Sequence, residues 1–216
     1  MRFRNREHAA RLLAERLAPY RGCTPLVLAI PRGAVPMGRI LADALGGELD
    51  VVLVHKLGAP DNPQLAIGSV DEAGHIYLGE YVQELGISTD YIATEKEHQL
   101  AILRHRRAQY TPVRPPLSPA GRVAIIVDDG VATGASMIAA LRAVRAKNPA
   151  KLIAAMAVAP LETVRLMEEE ADEVVCLSTP EYFSAVGQFF ADFSQVSEEQ
   201  VIAALQPSRA PVPAQK

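Results

Sequence analysis

Apolar residues in this chain follow two rhythms. Short unbroken runs alternate with longer stretches in which apolar positions recur every three or four residues. The first rhythm marks strands buried on both faces, and the second marks helices with one buried side. The runs are Pro25 to Ile30, Leu49 to His55, Val123 to Val127, Lys151 to Val158 and Glu173 to Leu177. The first helical stretch is Asn5 to Pro19, with Ala9, Leu12, Leu13 and Leu17 on one side and Asn5 as its N-cap. Further helices are predicted up to about Leu45, over Asp90 to Tyr110 behind Ser88 or Thr89, and over Met137 to Val144, Leu161 to Glu170 and Val196 to Leu205. The last has Ser197 as its cap, with Glu199 and Gln200 following. Strands and helices in this alternation predict an α/β fold, a doubly wound and mostly parallel sheet of about five strands.

One region breaks the alternation. Leu65 to Val70, the turn Asp71-Glu-Ala-Gly74, and His75 to Leu78 read as a β-hairpin, within an insertion over about residues 58–87. Thr111 to Gly121, with four prolines, reads as a linker back into the core. The pattern suits a single domain over residues 1–205, with the proline- and alanine-rich 206–216 as a flexible tail. There is no internal repeat.

Composition narrows the class. The chain has 216 residues, 49% of them hydrophobic, and a net charge of −3, which offers nucleic acid no basic face. No apolar run is long enough to span a membrane, and the N-terminus lacks the apolar core of a signal peptide. Only two cysteines occur, Cys23 and Cys176, in unrelated contexts. Both are expected to stay unpaired, which fits a cytoplasmic protein.

The chemistry is densest after Val123–Val127, a run β-branched at four of five positions. Asp128 and Asp129 follow at its carboxyl end, and Gly130-Val-Ala-Thr-Gly-Ala-Ser136 leads straight into an apolar helix. In open α/β sheets, ligands sit outside the carboxyl ends of strands, where a helix N-terminus offers free N–H groups and a positive dipole end. A phosphate suits the loop. Two acids beside it suit a ligand that also carries hydroxyls, or a magnesium ion. Pro31-Arg32-Gly33 repeats the strand–turn–helix geometry after the first strand, with a fixed cation in place of the acids. Lys56, at the end of the second strand, is another candidate cation. His55 reads as a partly buried structural histidine, and Arg2, Arg4 and Arg6 as a solvated basic edge. The Arg104-His-Arg-Arg107 cluster complements the dipole at its helix's end.

The strand, acid pair and Thr-Gly-x-Ser loop resemble the signature of type I phosphoribosyltransferases, which bind 5-phosphoribosyl-1-pyrophosphate (PRPP). The resemblance implies that Asp128 and Asp129 hold the ribose hydroxyls. It implies that Gly130, Val131, Ala132, Thr133, Gly134, Ala135 and Ser136 form the 5-phosphate loop. Pro31-Arg32-Gly33 resembles the family's pyrophosphate loop, which implies a cis peptide at Arg32–Gly33. Lys56-Leu-Gly-Ala-Pro60 resembles a second pyrophosphate contact. The hairpin resembles the family's hood, which closes over the reacting centre. Mg²⁺ is implied, bound mainly through PRPP and water with Asp128 and Asp129 within reach, and so is a homodimer. The aromatic segment Pro180 to Phe193 is similar in kind to the acceptor-binding segment of 6-oxopurine enzymes. Tyr182, Val186 and Asp192 are its candidate acceptor contacts, and an aromatic minicore is the alternative reading.

Two departures bear on the acceptor. Ala132 stands where 6-oxopurine enzymes carry an aspartate before Thr-Gly, and Ala154 to Leu161 lacks their lysine. This argues against hypoxanthine or guanine and leaves adenine open. The expected activity is phosphoribosyl transfer from PRPP to a nitrogenous acceptor such as a nucleobase, releasing pyrophosphate. The alternatives are a non-catalytic PRPP- or nucleotide-binding regulator and a PRPP hydrolase.

Overall fold

The apolar runs become strands covered on both faces. In the computed structural model, which describes residues 2–79 and 81–207, the chain begins with α1 (Arg6–Arg16), β1 (Leu26–Ala29), α2 (Val35–Leu45) and β2 (Glu48–Val51). Then come β3 (Val54–Ala59), β4 (Asn62–Asp71), β5 (Ile76–Leu78), α3 (Tyr81–Glu84) and α4 (Thr89–Tyr110). The chain continues through β6 (Val123–Asp128), α5 (Ala135–Arg145), β7 (Lys151–Val158), α6 (Leu161–Glu168), β8 (Glu173–Ser178) and α7 (Glu198–Leu205). Residues 208–216, most of the expected tail, lie outside the described residues.

Among the described residues, five strands form a parallel sheet in the order β2-β1-β6-β7-β8. Val27, Ala29, Ile125, Val127, Ile153 and Ala155 face the α1–α2 side, while Leu26, Leu28, Ala124, Ile126 and Leu152 face α5. Two covered faces leave no polar side to alternate with, hence the unbroken runs. The chain leaves β1 for β2 on one side and returns as β6 on the other. The carboxyl ends of β1 and β6 therefore flank a crevice at the point where the winding reverses, the place where open α/β sheets hold ligands.

The insertion is larger than the expected hairpin. β3, β4 and β5 form an antiparallel sheet of their own, with Lys56 opposite Ser69 in the middle of β3. The expected second strand, Leu49 to His55, is thus divided: the parallel sheet keeps it through Val51, and from Val54 the chain pairs with β4. Its composition is continuous, but the register with β1 ends where Val51 meets Ala29, and Val52 N makes the last bond, to Ala29 O at 3.0 Å. Lys56 consequently belongs to the hood rather than to the carboxyl end of a parallel strand.

Capping is local and follows the expected residues. Asn5 Oδ1 accepts from the backbone N–H of His8 at 2.9 Å at the start of α1, Ser88 caps α4, and Ser197 with Gln200 forms a reciprocal capping box on α7. Arg107, expected to serve the helix dipole, turns inward instead. Its Nη1 lies 3.0 Å from Asp50 Oδ1 and its Nε 2.6 Å from Glu72 Oε2. Asp50 is 2% exposed and also accepts from Leu117 N at 2.9 Å, so one cluster joins β2, α4, the hood turn and the proline-rich linker.

Candidate functional site

Two loops meet in the crevice. Asp128 and Asp129 end β6, and the turn from Pro31 to Ala34 leaves β1 beside them. The contact is close enough to require glycine, because a Cβ on Gly33 would stand 2.2 Å from Asp129 Oδ2. The cis peptide of this turn is Pro31–Arg32, one residue before the expected Arg32–Gly33 bond. The Arg32 carbonyl then accepts from Val35 N at 3.1 Å and opens the first turn of α2. Arg32 itself leans toward α7, with Nη1 3.9 Å from Glu198 Oε2.

The loop after the acids is held from behind and open in front. Val131 N donates to Val158 O at 2.9 Å, and Thr163 Oγ1 donates to Ala132 O at 2.8 Å. Gly134 has φ +86°, which an L side chain rarely adopts, and it serves as N-cap to α5 without a side-chain capping bond. The first amides of α5 are left for a ligand. Ala132, Thr133, Ala135 and Ser136 are exposed, and Gly134 between them is buried. Thr133 and Ala135 line a cavity of about 170 Å³ with Ser69, Tyr77 and Gly79 of the hood and Arg142 of α5. A larger hollow of about 530 Å³, between Glu72 and the carboxyl end of α4, lies away from these loops.

Arg6 is the residue that sequence pattern alone misses. Expected at a solvated edge, it is largely buried, with Nε 2.6 Å from Asp129 Oδ2 and Nη1 2.6 Å from Ser194 O. Its guanidinium lies 3.9 Å from the centroid of the Phe193 ring. Its partners lie 123 and more residues further along the sequence, beyond the reach of a local pattern. The available signal was the N-cap at Asn5, which puts the next side chain in the first turn of a core helix.

Burial lifts both carboxyls above the ordinary aspartate range. The Asp129 charge adds to the effect of burial at Asp128, whereas Arg6 pulls Asp129 back toward ionisation. Burial also lowers the His55 pKa, so the ring stays neutral at physiological pH.

Of the candidate acceptor contacts, the structure brings one to the loop. A Cβ on Gly130 would stand 2.4 Å from Val186 Cγ1, so Val186 packs directly on the loop's first glycine. Tyr182 is 82% exposed, and Asp192 accepts from Ser194 N at 3.0 Å. The aromatic residues form the stacked minicore of the alternative reading: Phe183 on Phe189, Phe190 on Phe193 and Phe3 on Phe190, with centroids 5.0–5.3 Å apart. The N-terminal segment is sewn to this stack by Phe3 N to Phe189 O, Ala191 N to Phe3 O and Asp192 N to Arg4 O, at 2.7, 2.8 and 2.9 Å. A hollow of about 450 Å³ at the ends of β7 and β8 has Leu161, Glu162, Glu181 and Phe183 on its wall.

The family model of the phosphoribosyl transferase domain matches residues 4–193. The chain belongs to the phosphoribosyl transferase domain family. A crystal structure of TT1426 from Thermus thermophilus is 47% identical, with a TM-score of 0.85 over 95% of this chain and 98% of that one. Two Mycobacterium tuberculosis proteins, from strains CDC 1551 and H37Rv and provisionally named phosphoribosyl transferases, are each 40% identical over 205 residues, 94% of this chain. The chain spans about half, 46%, of the length of those curated relatives. Among the described residues, no helix is long and apolar enough to cross a membrane, and no group of three or more His, Cys, Asp or Glu could hold a metal ion. Asp128 and Asp129 nevertheless offer hard oxygen donors. Mg²⁺ keeps most of its waters and takes other ligands from substrate phosphates, so this donor set fits an ion that arrives with a diphosphate.

Proposed function

We propose that this phosphoribosyl transferase domain moves the phosphoribosyl group of PRPP to a nitrogenous acceptor and releases pyrophosphate. One observation carries the reading. Two adjacent carboxylates, a glycine turn in contact with the second of them, and the uncapped amino end of α5 converge at the crevice between β1 and β6. Hydroxyls, a diphosphate and a terminal phosphate on one small ligand would satisfy all three.

In this mechanism Asp128 and Asp129 accept hydrogen bonds from the ribose hydroxyls, which relieves the desolvation that lifts Asp128. The amides of Ala132 to Ser136 hold the 5-phosphate. The Pro31-Arg32-Gly33 turn receives the diphosphate, with Arg32 and the hood's Lys56 as its cations. Asp128 and Asp129 would stand within reach of an Mg²⁺ ion carried in by PRPP and water, which would supply charge neutralisation on the leaving group. The C1–O bond breaks with its electron pair leaving on pyrophosphate, and the acceptor nitrogen bonds to C1 and releases a proton. The acids fix the pentose as positive charge develops on it, so their contribution is electrostatic. The acceptor lies toward Val186 and the hollow of Leu161 and Phe183. Glu162 and Glu181 there favour an acceptor that presents N–H donors, and Tyr182 and Asp192 edge the same segment. The protein acts as a homodimer.

Pyrophosphate release from Mg·PRPP is the test, run with and without a panel of purines, pyrimidines and small amides. Acceptor-dependent release is expected. Release independent of acceptor would make the protein a hydrolase, and binding without release would make it a regulator.

A further inference from the structure

Arg6 touches both halves of the proposed site. Its Nε takes Oδ2 of the pentose-binding acid Asp129, its Nη1 takes the main-chain carbonyl of Ser194, and its plane covers the Phe193 ring. Arg6 reaches the two sides from afar in the chain, since Asp129 is 123 residues away and Ser194 is 188 away. A planar guanidinium reaches a carboxylate from one edge and a carbonyl from another while its face lies over an aromatic ring, a fixed arrangement that the compact ammonium of lysine does not reproduce. Gly33 closes the arrangement, because a Cβ there would also meet Arg6 Nε, at 3.2 Å.

We propose that Arg6 is a positioning residue that makes the acceptor segment answer to occupation of the pentose site. The inference rests on the reading of Asp129 as a ribose ligand. Ribose hydroxyls donate to the carboxylate that Arg6 holds and fix its orientation. A carboxylate fixed in that way gives Arg6 a firmer charge-assisted bond, and Arg6 in turn steadies Phe193 and Ser194. The ligand thus acts on the segment through a differential contact, as any ligand-driven shift requires. A helix residue with a merely structural role would stabilise the fold without making the segment respond to ligand.

The experiment uses the intact protein with Mg·PRPP as probe. Titration calorimetry reports binding, and amide hydrogen exchange reports the order of residues 187–194. In the parent protein, Mg·PRPP should slow exchange across this segment. Arg6→Lys keeps a positive charge for Asp129 but loses the planar contact with Phe193 and the separate edge that meets Ser194, so it should bind Mg·PRPP within a few-fold of the parent while the exchange response disappears. Arg6→Gln should lose the response as well and weaken binding by about ten-fold, since a charged hydrogen bond to the pentose acid is gone. A segment that responds equally in the parent and Arg6→Lys would overturn the link. So would a parent segment indifferent to Mg·PRPP that calorimetry shows to be bound. If the parent gave no binding heat at all, the PRPP reading would fall and the link with it.

Discussion

Gly33→Ala is a sharp probe of the crevice. The added methyl would begin 2.2 Å from Asp129 Oδ2 and 3.1 Å from its Cγ. That is about 1 Å short of the 3.4 Å at which ordinary contact starts, so something must move. Asp129 cannot simply swing aside, because Arg6 holds the same oxygen at 2.6 Å. Overpacking of this kind costs about 1–3 kcal/mol. For a chain of this length each kcal/mol lowers Tm by roughly 2–4 °C, so differential scanning calorimetry should show a fall of about 2–12 °C. Function should suffer more, because a shift of about 1 Å in a positioned group costs on the order of a hundred-fold in rate. The decisive control is Asp129→Ala. With the carboxylate gone, Gly33→Ala should cost little further stability, and the two changes should be strongly non-additive. If Gly33→Ala lowered Tm as much in the Asp129→Ala background as in the parent, the steric argument would be refuted. Parental turnover with Mg·PRPP would refute the functional one.

Replacing Asp128 and Asp129 together by Asn should lower pyrophosphate release by orders of magnitude, at about 2–4 kcal/mol for each lost interaction, with circular dichroism unchanged. Arg107→Met strands Asp50, 2% exposed, without its cation. Leaving such a charge unpaired costs about 3–5 kcal/mol, so Tm should fall by roughly 6–20 °C, and a change under about 2 °C would contradict the network's role. Arg145 holds Asp172 below the usual carboxylate range, and Lys151 does the same to Glu173. Depressed acids stabilise the fold fully above their unfolded pKa values near 4 and lose that contribution as pH falls through the lower folded ones. The share of the urea midpoint due to this pair should therefore be lost between about pH 5 and pH 3, so the gap between the parent and Asp172→Asn should narrow over that range.

Structure was most legible in the sequence where the determining residues are neighbours. Asn5, Ser88 and Ser197 cap the helices that follow them, because a cap is a bond across three residues. The strand before Asp128 was legible from its unbroken β-branched run. Local pattern failed where distant segments decide. Val52 and Leu53 continue an apolar run in sequence, yet the parallel register stops at Val51 because β1 ends opposite it at Ala29, whose carbonyl takes the Val52 N–H. Lys56 was misplaced for the same reason. Arg107 resembles a dipole residue until Asp50 and Glu72 come together around it, and Arg6 resembles a surface cation until Asp129 arrives from 123 residues away.

The Arg107 cluster also determines how the antiparallel sheet can deform. Its root is clamped at Glu72 and Asp50, and Tyr91 Oη fastens Gly58 O at 2.9 Å partway along. Beyond that fastening, Pro60 to Pro63 are exposed. A blade fixed in this manner flexes along its length instead of rotating as a rigid door. Amplitude should then grow from the Asp71 turn toward Asp61, and the gap beside Thr133 should widen by curvature. Severing Arg107 would loosen the root, leaving the Tyr91 tie and the buried Leu57, Ile67 and Val70 to hold the blade.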